Sequence, residues 1–181
     1  MASQTDHQEL PLPRFDAPVR LLAVVAPYYR SIADALLTGV RRKAEAAGAQ
    51  LDIVEVPGAL EIPTAIALAA RAGRHDGFVA LGCVVRGETT HYETVCNDSS
   101  RGLTLLGLQG ICIGNGILTV ETMAQAEVRA APEGQDKGGG AAAAALHLVA
   151  LAHGIGARGQ APLVPHDVIR LAGEIEGQGR A

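Results

Sequence analysis

Apolar residues follow two alternating patterns along the chain. The run "VRLLAVVAP", residues 19–27, is continuously apolar and of strand length, which is typical of a parallel-sheet strand covered on both faces. The next segment, "SIADALLTGVRRKAEAAG", places Ile32 and Leu36 on one apolar stripe at helical spacing, and this predicts an amphipathic helix. Ser31 is its predicted N-cap, and Gly48 is predicted to end it.

The same alternation continues to residue 154. Three further strands are predicted at "AQLDIVEVPG", "DGFVALGCVV" and "ICIGNGIL". Helices are predicted at "LEIPTAIALAARAG", which ends at Gly73, over about residues 89–108, and at "VETMAQAEVRA" and "AAAAALHLVALAHG", with "APEGQDKGGG" as a loop before the last. Strands that alternate with helices predict an α/β fold with a parallel sheet wound on both faces.

The ends of the chain depart from this pattern. We predict a flexible, proline-containing N-terminal segment at residues 1–18 and one α/β domain at residues 19–156. Residues 157–181 are predicted to be a C-terminal extension, in which Pro162 and Pro165 interrupt regular structure. The pattern assigns no function to this extension.

Composition and charge exclude several functions. The formal net charge is −4 and the basic residues are scattered, so we expect no nucleic-acid partner. No apolar run reaches the roughly 18 residues that cross a bilayer. The polar N-terminus lacks the features of a signal peptide, and we expect a cytoplasmic protein.

Metal and nucleotide chemistry are also disfavoured. Cys83, Cys96 and Cys112 form an odd set without CxxC spacing, and no histidine stands at ligand spacing beside another histidine or a cysteine. We therefore expect no metal, and we expect Cys83 and Cys112 to be reduced, buried thiols. Neither a GxxxxGK[ST] nor a GxGxxG motif follows the first strand, which argues against triphosphates and dinucleotides.

Polar and aromatic side chains follow the predicted strands. Tyr28 and Tyr29 follow the first strand, "VPGALEIP" the second, "VVRGETTH" the third and "NGILT" the fourth. Ligands of open α/β sheets bind beyond the carboxyl ends of the strands. The sequence therefore predicts a site at this edge.

The segment "RGETTH" has two interpretations. In one, Gly87 permits a close turn, Thr89 or Thr90 caps a helix, Glu88 favours its dipole, and His91 is incidental. In the other, the free N–H groups of this helix end bind an anion. His91 would then transfer protons beside a phosphorylated substrate, because imidazole does so near neutral pH.

Other candidates also allow two interpretations. Glu61 either favours a helix dipole or faces the N–H groups of a heterocycle. Tyr28 and Tyr29 either pack or provide a stacking platform. Arg129 is a cation at a helix C-terminus or a phosphate ligand, and Lys137 is a solvated loop residue or part of the same site.

Taken in order, "VPGALEIP", "ALGCVVRGETTHYE", "NGILTVETMAQAEVRA" and "DKGG" resemble the lumazine synthase family, over about residues 20–154. The resemblance implies a flavodoxin-like, three-layer α/β/α fold with a four-stranded parallel sheet. It implies condensation of 5-amino-6-(D-ribitylamino)uracil with 3,4-dihydroxy-2-butanone 4-phosphate. The products are 6,7-dimethyl-8-ribityllumazine, phosphate and water, in the penultimate step of riboflavin biosynthesis. No cofactor or metal is implied.

The resemblance also implies roles for individual residues. His91 matches the proposed proton donor. Residues that match the ribitylaminouracil site are Tyr28, Ala59, Leu60, Glu61, Cys83, Val84, Val85 and Asn115. Residues that match the butanone phosphate site are Glu88, Thr89, Arg129 and Lys137. Many family members have an aromatic residue at the position of Asn115, and often at that of Leu60, so less stacking on the pyrimidine is expected here.

Members of the family that the chain resembles form pentamers with active sites between subunits, and some build pentamers into decamers or sixty-subunit shells. Shell-forming members use an N-terminal strand that pairs with a neighbour's sheet. Pro11, Pro13 and Pro18 remove donors from that segment, so a pentamer or a pair of pentamers is expected. The alternatives are a lumazine- or flavin-binding protein without turnover, an assembly-forming carrier, and a generic phosphosugar-binding domain. The joint presence of His91, Arg129 and Lys137 argues against a pure carrier.

Overall fold

A computed structural model of the chain describes residues 10–157. The strands are β1 (Arg20–Val25), β2 (Gln50–Glu55), β3 (Gly77–Val85) and β4 (Ile113–Val120). The helices are α1 (Arg30–Ala46), α2 (Glu61–Arg71), α3 (His91–Leu108), α4 (Met123–Ala130) and α5 (Lys137–Ala157).

The strands form a four-stranded parallel sheet in the order β2-β1-β3-β4. Helices α1, α4 and α5 contribute to the hydrophobic core on one face, and α2 and α3 to the core on the other. The predicted three-layer, flavodoxin-like α/β/α fold is therefore confirmed. The connection after β1 leads to β2 on one side, and the connection after β3 leads to β4 on the other side, so a topological switch point lies between β1 and β3.

The apolar run of β1 is explained by burial on both faces. Leu21 and Val25 pack into the core under α1 and α5, whereas Leu22 and Val24 pack into the core under α2 and α3. Because successive side chains of a strand point to opposite faces, a strand in the middle of the sheet needs apolar residues at every position.

Glycines end two helices as predicted. Gly48 follows the C-cap of α1 with φ +67°, and Gly73 follows the C-cap of α2 with φ +65°; glycine adopts this left-handed conformation without a steric penalty.

The prediction for the start of α1 is wrong. The helix begins at Arg30 with Tyr29 as N-cap, and Ser31 lies inside the first turn. Arg30 is held there by a 2.6 Å ion pair with Glu55 at the end of β2.

Four other predicted boundaries shift by about one turn or less. Helix α3 begins at His91 rather than near residue 89, and β4 begins at Ile113 and ends at Val120. Pairing with β3 carries β4 into the segment that was predicted as helix. Helix α4 begins only after Thr122, whose Oγ1 accepts a hydrogen bond from the Gln125 N–H at 3.3 Å.

The start of α5 differs most from the prediction, because "DKGGG" belongs largely to the helix and not to a loop. Asp136 precedes α5, and its Oδ1 accepts a hydrogen bond from the Gly139 N–H at 3.0 Å. Gly138 and Gly139 are buried. A Cβ atom on Gly138 would lie 2.1 Å from the carbonyl oxygen of Leu36 in α1. Glycine therefore permits the close approach of α1 and α5.

We expect Gly138→Ala to lower the free energy of unfolding by about 1–3 kcal/mol, because the added methyl group must displace backbone. Gly140→Ala is the matched control, since a Cβ there meets no atom within 4 Å in the described part of the chain. It should raise the free energy of unfolding by about 0.5–1 kcal/mol through helix propensity. Urea denaturation of both variants measures the difference, and equal effects would contradict the packing argument.

The predicted terminal segments are only partly described. Residues 10–18 contain neither helix nor strand, and Leu12 and Phe15 pack partly buried against the core beneath α1 and α5. The rest of the N-terminal segment lies outside the described residues, as does the C-terminal extension after residue 157. The domain boundaries at residues 18 and 156 stay predictions.

Candidate active site

A cleft of about 440 Å³ lies beyond the carboxyl ends of β1, β2 and β3, at the switch point. It lies where the strand order predicts a ligand site. Its lining residues are Ala26, Tyr28, Tyr29, Pro57, Gly58, Ala59, Leu60, Glu61, Cys83, Val84, Val85, His91 and Val95.

The two tyrosines after β1 have different environments. The Tyr28 side chain is 77% exposed, so it is free to face a ligand. Tyr29 is partly buried against the core and holds Tyr28 edge-on, with ring centroids 5.0 Å apart. Burial raises the pKa of the Tyr29 hydroxyl above its ordinary value. Of the two alternatives, packing is therefore observed for Tyr29, and the exposed ring of Tyr28 stays a predicted stacking platform.

The β2–α2 connection places a carboxylate at the cleft. Glu61 is the first residue of α2, and its backbone N–H donates to the Gly58 carbonyl at 3.2 Å. A Cβ on Gly58 would lie 2.9 Å from Glu61 Oε2, so glycine leaves room for this carboxylate. Ala59 is buried and Leu60 is 37% exposed. Among residues 10–157 no cation pairs with Glu61, which leaves both of its oxygens available to ligand N–H groups.

The end of β3 forms an apolar wall of the cleft. Cys83, Val84 and Val85 are half-buried there. Burial raises the pKa of the Cys83 thiol to about 11, so this side chain is a neutral thiol near pH 7. Cys83, Cys96 and Cys112 are all free and partly buried. The predicted free thiols of Cys83 and Cys112 are therefore confirmed, whereas their burial is only partial.

His91 begins α3 and reaches the cleft from the third strand. Its imidazole is exposed, and its backbone N–H donates weakly to Thr89 Oγ1 at 3.4 Å. The N-cap is Thr90, whose side chain makes no capping hydrogen bond. Glu88 and Thr89 lie in the exposed turn just before the helix and are not among the lining residues. Among residues 10–157 a Cβ added to Gly87 would meet no atom within 4 Å, so packing in this part of the chain does not require glycine there.

Three of the predicted site residues lie away from this cleft in a single chain. Asn115 pairs with Ala80 in the sheet, its Oδ1 accepts from the Ile117 N–H at 2.9 Å, and it lines a separate groove between α3 and α5. Arg129 is half-buried in the last turn of α4 and donates to the Gln125 carbonyl at 3.0 Å. Lys137 is exposed at the first position of α5, so its assignment to a loop is wrong.

Sequence reasoning did not identify Arg86, the first residue after β3. It forms ion pairs with Glu93 in α3 and Glu121 after β4. Its guanidinium lies 4.2 Å from the centroid of the Tyr92 ring. Glu93 could have been noticed from its short separation along the chain, but Glu121 reaches Arg86 only through the pairing of β3 with β4.

The fold and cleft define a flavodoxin-like α/β protein whose largely apolar cleft is lined by a carboxylate and an imidazole, those of Glu61 and His91. A family model described as 6,7-dimethyl-8-ribityllumazine synthase matches residues 18–153. The chain belongs to this family of transferases.

Curated relatives agree with the family match. The 6,7-dimethyl-8-ribityllumazine synthase of Jannaschia sp. (strain CCS1) is 54% identical over 173 residues, which cover 95% of this chain and 97% of that protein. The synthase of Novosphingobium aromaticivorans is 52% identical over 73% of this chain and 95% of its own length. That of Methylorubrum populi is 54% identical over 75% of this chain and 83% of its own length. Within residues 10–157, no helix has the length and apolarity that a membrane span requires.

Proposed function

We propose that this protein condenses 5-amino-6-(D-ribitylamino)uracil with 3,4-dihydroxy-2-butanone 4-phosphate to form 6,7-dimethyl-8-ribityllumazine, phosphate and water. The observation that carries the proposal is the cleft, which joins Tyr28, Glu61, the wall at the end of β3 and His91 in one place. Each strand end contributes a different chemical group: an aromatic ring, a carboxylate, and an imidazole beside an exposed turn.

The pyrimidine fits the inner part of this cleft in the proposal. Tyr28 stacks on the ring, while Ala59, Leu60 and the wall of Cys83–Val85 contact its apolar surface. Glu61 accepts hydrogen bonds from ring or ribitylamino N–H groups, because its carboxylate is unpaired among the described residues. Asn115 contributes a hydrogen bond to the ring edge from a neighbouring subunit.

The phosphorylated substrate lies near the turn before α3. Glu88 and Thr89 belong to that turn, whose backbone N–H groups and helix end favour an anion. Arg129 and Lys137 supply positive charge for the phosphate. The substrate amine condenses with the ketone to an imine and releases one water, phosphate then leaves, and ring closure releases a second water. His91 moves protons in these steps, and holding two reactants together supplies much of the acceleration.

The first test mixes the purified full-length protein with both substrates and follows lumazine formation by absorbance against the uncatalysed background. Product formed in proportion to enzyme concentration supports the synthase. Tight binding of a lumazine or a flavin without a rate above background would contradict it and would identify a binding protein on the same scaffold. A cytoplasmic location is part of this proposal.

The assembly we propose is a pentamer, alone or in a pair, in which a neighbouring subunit completes the cleft. Asn115, Arg129 and Lys137 lie outside the cleft of their own chain. The groove that contains Asn115 is bordered by exposed Leu108, Leu148 and Leu151, and apolar surface of this kind is typical of an interface. These two observations support the proposal that the three residues of one subunit complete the cleft of a neighbouring subunit.

Sedimentation equilibrium measures this assembly. A pentamer has five times the 18.6 kDa mass of the chain, about 93 kDa, and a pair of pentamers has twice that mass. The prolines of the N-terminal segment disfavour the strand pairing that shells use. A particle near about one megadalton would contradict this expectation, and a monomer with full activity would contradict a shared site.

A further inference from the structure

Arg86 joins three parts of the molecule at the point where β3 ends. Its Nη1 pairs with Glu93 Oε1 in the first turn of α3, and its Nε lies 2.6 Å from Glu121 Oε2 in the β4–α4 connection. Its guanidinium also stacks over Tyr92 at 4.2 Å. Its backbone N–H donates to the Val120 carbonyl at 2.9 Å. The direction of the chain as it leaves β3 is therefore held by both backbone and side chain.

The positive charge of Arg86 lies between two carboxylates, those of Glu93 and Glu121. The hydrogen bond from Arg86 is the main cause that lowers the pKa of Glu93, and both carboxylates raise the pKa of Arg86. The side chains are 40–56% exposed, and an isolated surface pair of this exposure contributes little to stability. Here, however, one planar guanidinium binds two carboxylates from different elements. Its main effect is therefore to fix the position of α3 relative to the β4–α4 connection.

The connection continues to α4. The Glu121 N–H donates to Gln125 Oε1 at 2.9 Å, and the Gln125 N–H donates to Thr122 Oγ1 at 3.3 Å. Arg129 Nη1 in turn donates to the Gln125 carbonyl at 3.0 Å. Arg86 is thus linked through Glu121 and Gln125 to the helix that carries Arg129.

We propose that Arg86 is a positioning residue that fixes the turn of residues 86–90 against α3 and against the start of α4. This inference rests on the proposed function, because that turn is the proposed phosphate site. Arg86 does not line the cleft, so it acts through the backbone that presents Glu88, Thr89 and His91. Residues 87–90 are exposed, and in the part of the chain that the structure describes their side chains make one hydrogen bond, in which Thr89 Oγ1 accepts from the His91 N–H. The ion pairs that hold this turn to α3 and to the β4–α4 connection come from Arg86.

The test compares Arg86→Met with Arg86→Lys in the lumazine assay, with each substrate varied in turn. Methionine keeps an apolar stem but removes both ion pairs. We expect Arg86→Met to raise KM for the butanone phosphate about tenfold, since small displacements of positioning groups have effects of this size or larger. KM for the pyrimidine should stay within about twofold. Arg86→Lys should recover part of the loss, because lysine keeps the charge but not the two-sided geometry.

Arg101→Met is the matched control. Arg101 is also on the surface and pairs with Asp98 at 2.5 Å, but both residues lie within α3, so neither KM should change. Thermal unfolding of both variants shows whether a change in KM is accompanied by a loss of stability. Equal Tm values for Arg86→Met and Arg101→Met, together with a KM change only in the former, are the expected result.

Two results would overturn the inference while the wild type is active. One is an unchanged KM for the butanone phosphate in Arg86→Met. The other is a large loss of Tm in Arg86→Met with normal kinetics in Glu121→Gln, which removes one contact and should raise the same KM by a smaller factor. An inactive wild type would instead refute the proposed synthase activity, so the two failures are distinguishable.

Discussion

Replacing His91 with alanine is expected to lower kcat for lumazine formation about 100-fold, within the range of general acid–base contributions. The imidazole is exposed at the first position of α3 and lines the cleft. Its side chain makes no hydrogen bond, ion pair or ring contact with another described residue, so its removal should not disturb the fold. Affinity for the pyrimidine should stay nearly constant, because Tyr28 and Glu61 are unchanged.

The measurement combines steady-state kinetics with calorimetric binding of the pyrimidine substrate. His153→Ala is the control, since His153 is also an exposed histidine but lies on α5, edge-on to Phe15 at 6.2 Å. It should behave as wild type in both experiments. A His91→Ala variant with undiminished kcat would remove His91 from proton transfer and leave the cleft with binding and proximity alone.

The layers of the fold were predictable because buried strands and helix faces have a regular pattern of apolar residues in the sequence. β1 is apolar at consecutive positions since it is covered on both faces, and Gly48 and Gly73 mark helix ends since they adopt positive φ. The start of α5 was not predictable by the same means. Gly138 and Gly139 suggest a loop by composition, yet they lie within a helix that packs closely on α1. Composition does not distinguish a flexible glycine from one required by close contact.

The candidate site was predictable to the extent that one chain builds it. The rule that ligands bind at carboxyl strand ends brings together Tyr28, Glu61 and His91, and the structure places all three in one cleft. Asn115 and Arg129 lie elsewhere on the same chain, and no local pattern in the sequence predicts the contact with a neighbouring subunit that we propose for them. Arg86 was missed because its partner Glu121 is distant in sequence and becomes adjacent only when β4 pairs with β3.

Arg129→Ala is expected to raise KM for the butanone phosphate about 10- to 100-fold, the cost of losing a charged hydrogen bond to phosphate. The guanidinium makes a single described contact, from Nη1 to the Gln125 carbonyl at 3.0 Å, so most of its donors remain available. KM for the pyrimidine should change little. KM for the butanone phosphate in Arg129→Lys should lie between the values for the wild type and for Arg129→Ala, because lysine keeps the charge but loses bidentate geometry.

Arg42→Ala separates a phosphate ligand from a general loss of positive charge. Arg42 pairs with Glu133 at 2.6 Å in the loop after α4, so the variant removes the same charge close to the same helix without touching the proposed site. It should leave both KM values unchanged. If Arg129→Ala instead weakened pyrimidine binding and left the butanone phosphate unaffected, Arg129 would belong to the ring site. If neither KM changed, Arg129 would be only the cation that stabilises the C-terminal end of α4.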